Sequence, residues 1–210
     1  MATDIRTRDT DQVTSSRAKL YRLTARQAQA MAAAGIFRGA SHIELLGGVL
    51  IQKMTKYPPH NFTVGEVSTL LSTLLTPRWV VRNEQSIELA RRWQPEPDVV
   101  VLVGPSRRYE AAYATPADVA LLVEVADSSY ARDRGIKWRK YAQARIPTYW
   151  IINLAQRQVE VYRDPAGAGR DAAYGSAEVY GEGAAVPVVV GGAEVGRVAV
   201  ADLLPTAPGA

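Results

Sequence analysis

Pro95-Glu96-Pro97-Asp98-Val99-Val100-Val101-Leu102-Val103 opens the stretch from Pro95 to Tyr162 on which the reading of this chain turns. Asp98 stands directly before an unbroken apolar run, the pattern of a buried strand with a carboxylate at the rim of its sheet. A second apolar run, Leu121-Leu122-Val123, ends on Glu124. A basic helical segment follows with Asp133, Lys137 and Tyr141, and the stretch closes on Tyr149-Trp150-Ile151-Ile152-Asn153 and on through Tyr162. Two strands thus each place a carboxylate at one of their ends, and the next helix offers a lysine. Hard cations want two or three oxygen ligands held rigidly, which neighbouring strands supply. Close carboxylates repel unless a cation sits between them. The backbone carbonyl of Val125 is a candidate third ligand. This is the equipment of a metal-dependent phosphodiester hydrolase.

Composition narrows the chemistry. With 210 residues, 47% of them apolar, the chain fits one globular domain with a sizeable core. There is no cysteine, so disulfides and thiolate metal sites are excluded. His42 and His60 are too few for a histidine-based zinc site. A bound metal would be Mg2+, or Mn2+, held by oxygen. No apolar run approaches the roughly 18 residues of a membrane span. The N-terminus carries Asp4, Arg6, Arg8, Asp9 and Asp11 and lacks the apolar stretch of a signal peptide, so a cytoplasmic protein without a membrane partner is expected. The net charge of +4 agrees with nucleic-acid binding, but many cytoplasmic proteins share it.

Around the central stretch the chain divides readily. Residues 1–19 are rich in Ser, Thr, Asp and Arg and read as a disordered tail before a domain over residues 20–205. Thr24 can cap a helix from Ala25 to Ala34, with Gly35 following as its left-handed terminator. Ile43-Glu44-Leu45-Leu46 and Val49-Leu50-Ile51 flank Gly47-Gly48, a hairpin signal. Tyr57-Pro58-Pro59 reads as a break. From Asn61 to Thr76, Val64, Val67, Leu70, Leu71, Leu74 and Leu75 recur at helical spacing. Trp79 to Leu89 reads as extended, and residues 104–118 as a connection. Asp127-Ser128-Ser129 leads into a helix over Tyr130 to Ala144, and strands Thr148–Asn153 and Gln158–Arg163 form a hairpin. Short strands are expected in the Gly- and Ala-rich remainder. The architecture is α/β, a central mixed β-sheet flanked by helices.

Each candidate residue has a plainer reading. Asp98 and Glu124 could be solvated strand ends. Lys137 lies four residues after Asp133, so the two could form an ordinary helix-surface ion pair worth a few tenths of a kcal/mol. Tyr141 continues the same face, which a solvent-facing stripe would also do. Trp138 and Trp150 read as core residues, and Arg91-Arg92 and Arg107-Arg108 as solvated loop arginines. His60, after two prolines at the start of a helix, reads as a capping or surface residue, with facing the site as the lesser alternative.

The ordered combination is more specific than its parts. Pro97-Asp98, Glu124 and a downstream lysine resemble the PD-(D/E)XK nuclease superfamily. Glu124-Val125 with Ser128, then Asp133, Lys137 and Tyr141, then Ile146-Pro147-Thr148-Tyr149-Trp150-Ile151-Ile152, resembles the putative restriction endonuclease family, often called the Uma family. The Glu44 hairpin resembles that family's opening, and the likeness spans roughly residues 21–205. It implies a restriction-endonuclease-like fold and Mg2+-dependent cleavage of DNA. By motif position, Asp98 and Glu124 would hold the metal and Glu44 would be an auxiliary acid. The superfamily's usual lysine stands two residues after the glutamate, where this chain has Ala126. Lys137 on the following helix takes its place by resemblance, with Asp133 and Tyr141 in support. Ile43 and Gly47 stand where the family more often has tyrosine and aspartate.

The leading expectation is therefore a DNA endonuclease. A catalytically silent relative that binds nucleic acid or a protein partner is the alternative, and a hydrolase of another phosphate ester is a third. A homodimer would pair two sites for cutting both strands, though nothing in the sequence marks an interface.

Overall fold

The computed structural model describes residues 19–39, 42–53, 56–75 and 77–207. The tail expected over residues 1–19 lies, but for Lys19, outside them. Helix α1, Ala25–Ala33, begins as its sequence dictates: Thr24 and Gln27 satisfy each other's backbone amides in a capping box. Gly35 follows the C-cap with φ +73°, the left-handed conformation that lets the chain turn away. Strands β1, Ile43–Leu46, and β2, Val49–Gln52, pair antiparallel, with Gly47 and Gly48 at φ +60° and +84° in the turn. A Cβ on Gly48 would also come within 2.7 Å of Arg22 Cβ, so glycine is required there twice over.

Helix α2 runs Pro58–Leu74, and here one expectation is corrected. Pro58 and Pro59 do not break the chain; they occupy the first helical positions. The amides at these positions have no intrahelical acceptor, so proline loses nothing by lacking one. The expected last residue, Thr76, lies outside the described residues.

Strands β3 Trp79–Asn83, β4 Val99–Val103, β5 Val119–Ala126, β6 Thr148–Asn153, β7 Gln158–Ala166 and β8 Ala173–Gly181 form one sheet in sequential order. Only β5 and β6 are parallel; every other neighbouring pair in the sheet is antiparallel. A parallel pair needs a crossover, and the helical segment 130–143, here α3, supplies it. The extended segment expected to Leu89 stops at Asn83, because Glu84 turns to φ +54° and leaves the pleat.

Side-chain alternation splits the core in two. Val99, Val101, Val123, Val125, Trp150 and Ile152 pack under Val64, Val67 and Leu71 of α2. The hairpin of β9, Ala185–Val190, and β10, Ala193–Ala199, joins them, as does the short helix α4, Val200–Leu203. On the opposite face Val100, Leu102, Leu122, Ala126, Tyr149 and Ile151 meet Tyr141 and Ala142 of α3. Helices thus lie on both faces of a mixed sheet, as expected.

Two details differ from expectation and matter for the site. β5 does not close on Glu124; it continues through Val125 and Ala126. And α3 is not one regular helix. Tyr130–Arg132 and Trp138–Gln143 are α-helical, but Asp133–Lys137 between them is a π-helical turn. Such turns insert a residue into the helix and recur at functional sites.

Candidate active site

The site begins with strand register. β4 and β5 pair with Val99 opposite Val123, so Asp98, one residue earlier, falls opposite Glu124. Alternation gives Glu124 the face of Leu122 and Ala126, beneath α3. Beyond the end of β4 the ladder is continued by a side chain: the Val125 amide donates to Asp98 Oδ2 at 2.8 Å. Both carboxylates are 2% exposed, which is not how solvated strand ends behave.

Lys137 comes down from the π-turn onto Glu124. Its Nζ donates to Glu124 Oε1 at 3.0 Å and lies 2.7 Å from Glu44 Oε1 and 3.7 Å from Asp133 Oδ1. The Tyr141 hydroxyl donates to the same Glu124 Oε1 at 2.8 Å. Lys137 and Asp133 are therefore not a surface ion pair, since each is only 1% exposed. Glu44, wholly buried, also accepts the Glu96 amide at 2.9 Å. Glu44 reaches the cluster behind Lys137 and does not line the cleft.

The electrostatics follow from burial among carboxylates. Burial works against the Lys137 charge, yet Glu124, Glu44 and Asp133 outweigh it and raise its pKa, so the ammonium is locked in its charged form. Burial pushes the Glu124 carboxyl up to about 8 against the pull of Lys137, with Asp133 and Asp98 adding to the rise. Asp133 is raised by burial too. Asp98 goes the other way. Burial favours its neutral form, but the hydrogen bond from His60 and the charges of Lys53 and Lys56 hold it well below the usual carboxylate range.

Lys53 and Lys56 were not singled out by the sequence. Asp98 Oδ1 accepts Lys53 Nζ at 2.9 Å and Lys56 Nζ at 3.1 Å, and His60 Nε2 lies 3.3 Å from Oδ2. His60 is a correction: it faces the site rather than capping a helix or meeting solvent. Its spacing carried the signal, for His60, Val64, Val67 and Leu71 lie at i, i+4, i+7 and i+11, the buried stripe of α2. Lys53 follows β2 and pairs back to the His42 carbonyl at 2.8 Å, so it extends the hairpin by one rung. Two-residue alternation sets it on the same face as Ile51 and its partner Glu44. Nothing local to Lys53 or Lys56 announces a partner many residues away.

The cleft above this floor has a volume of about 150 Å³. Lys53, Lys56, His60, Asp98, Glu124 and Lys137 line it with Ser128, Ser129 and Arg132. The Ser129 side chain is not spent on capping α3, and Arg132 Nε is buried with no partner among the described residues. Other candidates lie elsewhere. Lys140 stacks on Trp93, 5.3 Å from the ring centroid, and donates to Gln143. Arg91 and Arg92 border a different cavity, beside Tyr21 and Arg22. Arg108 pairs with Asp118 at 2.6 Å.

A mixed six-stranded sheet with a crossover helix and helices on both faces defines a restriction-endonuclease-like fold, here with Asp98, at the start of β4, opposite Glu124 of β5 and with Lys137 on Glu124. The crystal structure of a putative nuclease belonging to DUF820 from Anabaena variabilis ATCC 29413 shares this fold, with a TM-score of 0.59 at 18% identity over 77% of this chain and 88% of that one. The sequence matches Uma2, described as a putative restriction endonuclease, over residues 27–195, and the chain belongs to that family. No curated protein matches it significantly. Among the described residues no helix is long and apolar enough to cross a membrane.

Proposed function

We propose that this chain is a metal-dependent endonuclease that hydrolyses phosphodiester bonds of DNA, with Asp98, Glu124 and Lys137 as its catalytic residues. The observation that carries the reading is the approach of Lys137 Nζ to Glu124 Oε1, 3.0 Å, on the rim where Asp98 also lies. Membership in a nuclease family supports it.

The donor set fits a small hard cation. Asp98, Glu124 and the Val125 carbonyl offer only oxygen. Lys137 and Tyr141 both bond Oε1 of Glu124, so Oε2 is the atom left for a ligand. Among the described residues no three His, Cys, Asp or Glu side chains gather to hold an ion by themselves. Two carboxylates and a backbone carbonyl suit Mg2+, with Mn2+ as a substitute, because Mg2+ keeps several waters and commonly takes one or two carboxylates plus substrate phosphate oxygens. When bound, such an ion polarises a phosphoryl oxygen and makes water a better nucleophile.

The protein's own groups do the rest. Lys137 is a fixed positive charge rather than a proton carrier, since its pKa is raised. It sets the Glu124 carboxylate in place and offsets negative charge that grows on the phosphoryl group. Tyr141 holds Glu124 from the other side. Asp133 and Glu44 keep the lysine charged and aimed. A homodimer would present two such sites to the two strands of a duplex. The test is cleavage of plasmid and linear DNA with Mg2+, Mn2+ or EDTA. Ion-dependent cutting that Asp98→Asn removes is the expected result; cleavage unaffected by EDTA overturns it, and cleavage of mononucleotide esters alone moves the substrate class.

A further inference from the structure

We infer that Lys53 and Lys56 are built-in counter-ions that close the cation seat at Asp98, and that DNA phosphate opens it by drawing Lys56 away. This rests on the proposed nuclease reading and deepens it, because it assigns a regulation to the same site.

Every Asp98 oxygen is engaged. Oδ2 is held by the Val125 amide at 2.8 Å and faces His60 at 3.3 Å; Oδ1 takes both ammonium groups. The Val125 amide belongs to β5 and stays with its strand. Exchange therefore falls on Oδ1, where an incoming divalent cation meets two positive charges that block the oxygen and repel the ion. The protein is thereby spared a buried, unpaired carboxylate when the seat is empty.

The two lysines are held differently. The Lys53 ammonium is also bonded to the Glu96 carbonyl at 2.9 Å and its side chain is 9% exposed. Lys56 is scarcely more open, its side chain 11% exposed, but its second partner is the Glu84 carboxylate, whose own side chain is 31% exposed and lies toward solvent. The neighbouring Tyr57 lines the cleft while 64% exposed, which sets this segment at its mouth. Lys56 is thus the ammonium that can leave. Inside a cleft carrying several cationic groups, the partner it gains most from is a phosphate, through a charge-assisted hydrogen bond. Binding of cation and of phosphodiester then favour each other. Each makes room for the other at Asp98, and the coupling is reciprocal.

Mn2+ binding, read by electron paramagnetic resonance with and without a phosphorothioate DNA duplex, tests this without requiring turnover. In the wild type, DNA should tighten Mn2+ binding by at least about fivefold, the lower end for coupled sites. Lys56→Met should bind Mn2+ several-fold tighter than wild type in the absence of DNA and lose most of the tightening by DNA. Lys56→Gln should behave alike, which separates lost charge from disturbed packing. Lys53→Met should bind Mn2+ tighter yet keep the effect of DNA. If Asp98→Asn abolishes Mn2+ binding but Lys56→Met and Lys56→Gln bind it no tighter than wild type, the counter-ion inference is overturned and the nuclease reading stands. If no form of the protein binds Mn2+, with or without DNA, both fall.

Discussion

Lys137 Nζ lies 2.7 Å from Glu44 Oε1, and through that contact the N-terminal hairpin becomes part of the site. The same ammonium holds Glu124 of β5 at 3.0 Å and Asp133 of its own π-turn at 3.7 Å. One buried cation thus ties together three carboxylates from three elements.

Removing it should therefore cost stability as well as rate. Taking one partner from a buried ion pair typically costs about 3–5 kcal/mol, because the charge left behind is uncompensated. Lys137→Ala is expected to lose stability in that range in urea unfolding and to cut at a rate lower by orders of magnitude. Single-turnover measurements well below its melting temperature separate the two effects. Lys140→Ala should change stability by less than about 1 kcal/mol, since its stacking on Trp93 is a half-exposed cation–π contact. The reverse pattern would remove Lys137 from the catalytic role.

Asp98→Asn and Glu124→Gln should both abolish ion-dependent cleavage yet shift stability in opposite directions. The folded protein holds Asp98 well below its unfolded pKa, so its contribution is present above that value and fades as pH falls through the folded one. Asp98→Asn strands two ammonium groups and should destabilise the metal-free protein by about 1.5–3 kcal/mol, the range for hydrogen bonds to charged groups. Glu124 is raised from 4.5 to about 8. Between those values the folded state keeps a proton that the unfolded chain has released, so rising pH costs stability until about 8. Glu124→Gln escapes that loss. In EDTA its stability relative to wild type should climb from pH 5 to pH 8.5; a flat difference would contradict the raised carboxyl.

Which of these relationships the sequence could show depends on how local they are. Gly47-Gly48 announced its turn because left-handed backbone is a property of single residues. The valine runs announced strands because a sheet covered on both faces needs apolar side chains at every position. Lys137 shares a helix face with Asp133 and Tyr141, a spacing visible in the sequence; the structure sets Lys137 among the buried carboxylates and Lys140 on Trp93. Pro58-Pro59 misled because proline both ends segments and starts helices, and only the following residues decide. The π-turn at Asp133–Lys137 leaves no mark in the spacing, as Asp133, Lys137 and Tyr141 share a face with or without it. Lys53 and Lys56 were out of reach because their partner Asp98 is more than forty residues away, and what joins them is the docking of the hairpin against the sheet.

That docking has a counterpart behind α3, where Glu160 of β7 acts as a latch. It accepts the Tyr130 hydroxyl at 2.9 Å and the Tyr162 hydroxyl, and Arg134 Nε lies 3.7 Å away. The Arg134 guanidinium also covers the rings of Trp138 and Tyr162 at 5.1 and 4.9 Å. Tyr130 and Arg134 flank Asp133, so the latch fixes the turn that carries Lys137. Glu160→Ala should lose about 1–3 kcal/mol, the cost of leaving the buried Tyr162 hydroxyl unpaired. It should also speed hydrogen exchange of the amides in 130–138. Unchanged exchange there would show that the turn is held by other contacts.

The last expectation concerns how DNA is gripped. Lys53, Lys56 and Arg132 line the cleft, and Arg132 is the one not committed to a carboxylate of the floor. Phosphate contacts release counter-ions from DNA, so the logarithm of the binding constant falls with the logarithm of salt by about 0.9 for each phosphate neutralised on a duplex. Binding measured with Ca2+ in place of Mg2+, to hold back cleavage, should weaken steeply as salt rises. Arg132→Ala should lower the slope by about 0.9 and weaken binding to unrelated sequences equally, as expected for a backbone contact. The same change should leave the Tm within about 0.5 kcal/mol equivalent of wild type, since no described group depends on its Nε. A slope unchanged by Arg132→Ala would place the DNA backbone on another surface, and binding insensitive to salt would speak for a partner that is not a nucleic acid.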